Sequence, residues 1–113
     1  TEEYQNVRKA VKKALKAAEN SIKPSVECSV PADIAMQVLT AGHPDSSDCL
    51  PHALGHGIGY KVHQIPRISG YSDAVFKQGQ IITLEPGIYI PDKFGVRIEH
   101  DYIVTDTGVT KLI

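Results

Sequence analysis

Only two cysteines, Cys28 and Cys49, occur in the 113 residues. That number builds neither a disulfide framework nor a Cys-rich metal site, and it suits a reducing compartment, so the cytoplasm is the expected location. Net charge is equally scarce, at −1 with a sequence pI near 6.5. Such a balance gives no global reason to expect nucleic acid or an acidic membrane surface as a partner. No apolar run approaches the roughly 18 residues of a membrane-spanning helix, and the N-terminus is too charged for a secretion signal. Repeats, linkers and low-complexity stretches are also missing. What remains is the expectation of one soluble domain, 1–113, large enough to bury about 65% of its unfolded surface.

What is present begins with an uneven distribution of charge. Six of the twelve Lys and Arg residues fall within the first twenty-four: Arg8, Lys9, Lys12, Lys13, Lys16 and Lys23. Between them Tyr4, Val7, Val11, Leu15, Ala18 and Ile22 recur at steps of three and four, the spacing of an amphipathic helix whose basic side is solvated. Thr1, Glu2 and Glu3 suit its N-terminal end, and Pro24 is expected to stop it after Lys23. A second helix is expected from near Pro31 to Gly42, followed by a turn-rich surface loop, 42–48, in which His43 is read as solvated. The stretch 68–79 reads as irregular. Strands are then expected at Ile81–Glu85, Ile88–Ile90, Val96–Val104 and Val109–Ile113, separated by Pro86-Gly87, by 91–95 and by Asp106-Thr107-Gly108. The order of helix, helix and antiparallel meander makes the fold class α+β.

The densest chemistry lies in His52–Pro66, HALGHGIGYKVHQIP. Glycines at 55, 57 and 59 permit close backbone approach and leave His56 on a bare backbone, where the simplest target for its imidazole is a metal ion. Pro51 and the glycines oppose a helix, so the spacing of His52, His56 and His63 does not make them one helical face. A phosphate-cradling loop would need a helix after Gly59, and none is indicated. A lone histidine is more often a satisfied polar residue than a ligand; three in one window with acidic residues downstream weaken that alternative. Thr83 and Glu85 share one strand face, as do Arg97, Glu99 and Asp101. Either this is the wet side of an antiparallel sheet, or Glu85 and Glu99 converge on a cation with Arg97 balancing the charge.

These residues resemble a known family. His52–Pro66 is similar to the HGxGHGxGxxxHExP signature of the pita-bread metallopeptidases, and Ile82–Tyr89 and Gly95–Glu99 resemble the TxEPGxY and GVRIE blocks that follow it. The Pro-Gly-x-Tyr and Val-Arg-Ile-Glu blocks point to the Xaa-Pro branch, aminopeptidase P and prolidase. The resemblance implies the C-terminal half of a pita-bread (creatinase/aminopeptidase-like) fold, with two helices on a curved, mainly antiparallel sheet. It implies metal ligands at His56, Glu85 and Glu99, with Glu99 bridging two ions and Glu85 also serving as base. His52 and His63 would steady substrate and tetrahedral intermediate, Arg97 would orient the carboxylates, and Tyr89 would support the substrate region. The implied cofactor is a pair of divalent ions, Mn, Co or Zn, which suit carboxylates with one imidazole and lower the pKa of a water. The implied substrate is an Xaa-Pro peptide.

The chain also departs from the pattern. The family's two aspartate ligands precede the helix with which this sequence begins, so at most one weakly held ion and no activity are expected of these residues alone. Gln64 stands where the signature has Glu, and His100 where the Xaa-Pro branch has an acidic residue. Half a domain is expected to expose sheet edge and apolar surface, and so to self-associate or pair with an N-terminal half. A peptidase-like binding module without hydrolysis is the alternative function. A methionine aminopeptidase-like enzyme is disfavoured by the Pro86-Gly87 block.

Overall fold

The structure is a computed structural model and describes residues 1–43, 48–58 and 66–112. Helix α1 spans Glu2–Asn20. The Thr1 hydroxyl caps it by accepting from the Tyr4 N–H at 3.2 Å, and Glu2 and Glu3 lie at the positive end of the helix dipole. Val7, Ala10, Val11, Ala14, Leu15 and Ala18 form the buried stripe, while the lysines between them are exposed. The helix ends at Asn20, short of Lys23, because the Ser21 hydroxyl and N–H both donate to the Ala18 carbonyl, at 2.7 and 3.0 Å. Ile22 is buried beyond that turn, so the apolar spacing outlasts the helix.

Helix α2 spans Ser29–Gly42, with Pro31 in its first turn, where a missing N–H costs nothing. The two helices approach where Ala10 faces Gly42: a Cβ on Gly42 would lie 2.7 Å from that of Ala10. His43, expected to be solvated, is instead largely enclosed. Its Nε2 lies 2.8 Å from Asp48 Oδ2, and the Cys49 thiol donates to its carbonyl at 3.7 Å. Pairing with Asp48 offsets the desolvation of the imidazole.

Among the described residues seven strands follow: β1 (Gly55–Ile58), β2 (Arg67–Ile68), β3 (Ile81–Leu84), β4 (Gly87–Ile90), β5 (Phe94–Arg97), β6 (His100–Val104) and β7 (Val109–Lys111). Five form an antiparallel sheet in the order β2-β1-β3-β6-β7, and β4 pairs with β5. Ile82, Leu84, Tyr102 and Val104 pack in one core with the buried faces of α1 and α2. Full burial of each such aliphatic side chain contributes about 1.5–3 kcal/mol. The glycine-rich stretch is part of this sheet, since β1 lies between β2 and β3. It approaches β3 so closely that a Cβ on Gly55 would sit 1.8 Å from the Thr83 carbonyl oxygen.

The sequence reads 96–104 as one strand, and the structure divides it at Ile98-Glu99 into β5 and β6. The partner strand breaks at the matching place, Glu85-Pro86. Pro86 has no N–H to donate, and the Glu85 N–H turns to the Leu54 carbonyl at 2.7 Å. Register is kept across the break: Leu84 pairs with His100 and Gly87 with Arg97, so Glu85 stands opposite Glu99 and Pro86 opposite Ile98. The Ile98 N–H donates to the Pro86 carbonyl at 3.2 Å. The pair is therefore one long hairpin bent at the two glutamates.

Two buried acids titrate late. Burial pushes the Cys28 thiol from its ordinary value near 9 up to about 11. Burial, and the 2.6 Å hydrogen bond that its hydroxyl donates to Glu19, raise Tyr102 above the usual tyrosine range. In both cases the folded state holds its proton longer than the unfolded state does. The stability this gives is complete below the unfolded value and is lost as pH rises toward the folded one. Urea unfolding is expected to weaken between pH 9 and 11, with a thiol share on the order of 1–2 kcal/mol. In Cys28→Ala that share of the decline should vanish, and identical pH slopes for both proteins would contradict the assignment.

Candidate functional site

The face of the sheet opposite the helices carries the candidate residues, and Thr83 organises them. This threonine is buried, and its hydroxyl accepts from the His56 N–H and donates to Glu85 Oε2, each at 3.2 Å. One side chain thus fixes the backbone of β1 and a carboxylate at the end of β3. The His56 imidazole is oriented by its own strand, because Nδ1 lies 2.9 Å from the Gly57 carbonyl oxygen. A carbonyl only accepts, so Nδ1 carries the proton and Nε2 of the neutral ring keeps its lone pair. That lone-pair nitrogen lies 3.9 Å from Glu85 Oε2.

A nitrogen and an oxygen bound to one divalent ion at about 2.1 Å each are at most about 4.2 Å apart. The His56–Glu85 pair fits within that limit, with a donor set suited to Mn, Co or Zn. Glu99 is exposed at the position opposite Glu85, across the hairpin bend. Among the described residues no group of three His, Cys, Asp or Glu side chains stands together as an ion-holding cluster. Arg97 is also exposed and makes no ion pair with Glu85 or Glu99 among the described residues. Arg97, Glu99 and Asp101 keep the two-residue alternation in register, although the strand that carries them is divided between Arg97 and His100. Asp101 lies beyond the division, opposite Thr83.

His52 is placed by two contacts. Its Nδ1 lies 2.7 Å from the Ala53 carbonyl oxygen, which assigns the proton to that nitrogen, and its Nε2 lies 2.8 Å from the Tyr89 hydroxyl. In the neutral ring Nε2 therefore accepts from the Tyr89 O–H. The two rings meet edge to face, with centroids 5.5 Å apart. His52 also borders a cleft of about 360 Å³ between α2 and the turn at Ser69–Tyr71, floored by Met36, Leu50 and Leu54. His63 and Gln64 lie outside the described residues. The Ala53 and Gly57 carbonyls, which set the two tautomers, have no signature in the sequence because every residue carries a carbonyl.

The profile of metallopeptidase family M24 matches residues 1–106, nearly the whole chain. The chain belongs to this family. Over 65 residues it is 51% identical to the Xaa-Pro dipeptidase of Pyrococcus furiosus, a match covering 58% of this chain and 19% of that protein. The prolidase structure from Pyrococcus horikoshii superposes with a TM-score of 0.89 at 37% identity, covering 98% of this chain and 31% of the other. The X-Pro aminopeptidase from Thermotoga maritima gives a TM-score of 0.89 at 32% identity, with the same coverages. The M24 chain is thus part of a pita-bread fold, spanning under a third of the length of these relatives.

Thr83 is the testable centre of this arrangement. Thr83→Val keeps the shape but leaves the partly buried His56 N–H without its acceptor and Glu85 without its donor. Urea unfolding should show a loss of about 1–3 kcal/mol. Thr83→Ser, which keeps the hydroxyl, should recover most of it, and equal losses for both variants would assign the effect to packing.

Proposed function

We propose that residues 1–113 form a single partial catalytic domain of a metal-dependent peptidase that hydrolyses Xaa-Pro bonds in the cytoplasm. The observation that carries this reading is the His56 Nε2 lone pair facing Glu85 across 3.9 Å, both held through one threonine. The names of the Pyrococcus and Thermotoga relatives support the substrate class. His56, Glu85 and Glu99 are the ligands this chain offers to divalent ions, Mn, Co or Zn. When bound, such ions supply Lewis-acid chemistry at the scissile amide. Glu85 is the base, and its carboxylate is already a hydrogen-bond acceptor for Thr83. His52 holds the Tyr89 proton at rest, and a substrate oxygen arriving beside them competes for that O–H. His63 is the second substrate-side histidine. Arg97, on the same hairpin, would orient the glutamates.

Hydrolysis needs groups beyond these 113 residues, so the chain works with the remainder of a pita-bread domain, in the same polypeptide or in a partner. A row of isoleucines supports the association. Ile58 and Ile81 are cross-strand partners exposed by 44% and 39%, and Ile103 follows in register on β6. Directly paired residues share a face, so this apolar row lies beside His56 on the open side of the sheet.

Calorimetric titration with Mn²⁺ tests the site. The chain should bind one ion weakly, and His56→Ala, Glu85→Ala and Glu99→Ala should each remove most of the heat; equal heats in all four proteins would refute the ligand set. Light scattering on the same samples should report a species heavier than one chain at micromolar concentration. A well-folded monomer, or cleavage of an Xaa-Pro dipeptide by the isolated chain, would contradict the proposed incompleteness.

A further inference from the structure

Two glycines in the β4–β5 hairpin sit against the ring that touches His52. Gly95 is the direct cross-strand partner of Tyr89, and Gly87 lies two residues before it on the same face. A Cβ on Gly87 would fall 2.7 Å from the Tyr89 hydroxyl oxygen and 2.9 Å from Cε2 and Cζ. A Cβ on Gly95 would fall 2.8 Å from Cδ1 of the same ring. Neither glycine has the left-handed backbone that would itself require glycine, since Gly79 is the described glycine with positive φ. What both positions use is the absence of a side chain.

A bump against the end of a flexible side chain is ordinarily relieved by rotating it away. Here rotation has a consequence, because the phenol is hydrogen-bonded to His52 Nε2 at 2.8 Å. His52 has little freedom to follow. Its Nδ1 is held by the Ala53 carbonyl, and its chain segment is joined to β4 by the Leu50 N–H donating to the Gly87 carbonyl at 2.9 Å and by the Cys49–Ile88 bridge. Displacing the ring by a fraction of an ångström therefore lengthens and misaligns the bond from the hydroxyl to the imidazole nitrogen.

We propose that Gly87 and Gly95 are positioning residues whose missing side chains form the bed on which the Tyr89 ring lies, and that this bed sets the Tyr89 O–H on His52 Nε2. The inference rests on the peptidase reading only for what His52 does to a substrate; the geometry stands without it.

The test is the ¹⁵N resonance of His52 Nε2 in the neutral, metal-free chain. Tyr89→Phe removes the donor and should shift that resonance, which defines its position without the hydrogen bond. Gly87→Ala and Gly95→Ala should each shift it toward that position, with no further change when either is added to Tyr89→Phe. A wild-type Nε2 resonance in both alanine variants would overturn the proposal, as would an unshifted resonance in Tyr89→Phe. If an alanine variant does not fold, the same change is made in Tyr89→Ala, where the bed is unused. Recovery of a folded amide spectrum supports the proposal, and persistent unfolding overturns it. A domain completed with its missing portion that never cleaves Xaa-Pro peptides, but shows the predicted shifts, would remove the function reading and leave this one standing.

Discussion

The site depends on how closely β1 runs against β3. At Gly55 there is no room for a side chain, and that approach brings the His56 N–H to the Thr83 hydroxyl. The same hydroxyl donates to Glu85. A histidine from the glycine-rich strand and a glutamate from the strand beside it are therefore positioned through one buried oxygen. A larger residue at 55 would separate the strands, and the nitrogen and the carboxylate would part with them.

The second constraint is the bend at Glu85-Pro86. Proline interrupts the ladder, the Glu85 N–H is taken by Leu54, and the hairpin turns away from the main sheet without losing register. Glu85 and Glu99 consequently face each other across the bend. Beyond it the β4–β5 pair carries Tyr89 back toward His52, so the M24 signature blocks meet through the hairpin although they are far apart in the chain. The helices support this from the other face, with α1 and α2 packed at Ala10 and Gly42 against the core beneath β3 and β6.

Much of this was legible in the sequence, because periodicity and special residues are local signals. The lysines and valines of α1, the stops at Gly42 and Pro86, and the motif blocks around His56, Glu85 and Glu99 each announce themselves. The failures have physical causes. Ser21 ends α1 early through a side-chain hydrogen bond that competes with the helix. The run from Val96 to Val104 looks continuous because it is β-rich, and its division is imposed by Pro86 on the opposite strand. His43 looked solvated because its partner Asp48 lies across a turn-rich segment. The roles of the Gly57 and Ala53 carbonyls were invisible, since tautomers are set by backbone placement that no residue type encodes.

The central claim is that the fold fixes the His56 proton on Nδ1, through the Gly57 carbonyl, and turns Nε2 toward Glu85 as the nitrogen offered to a cation. Imidazole ¹⁵N spectra of the metal-free chain, followed through a titration with diamagnetic Zn²⁺, test it most directly. The account predicts that His56 is the Nδ1–H tautomer before any metal is added, and that zinc then moves Nε2 and leaves the Nδ1 proton in place. An Nε2–H tautomer in the free chain, or zinc binding that moves Nδ1 instead, would contradict it.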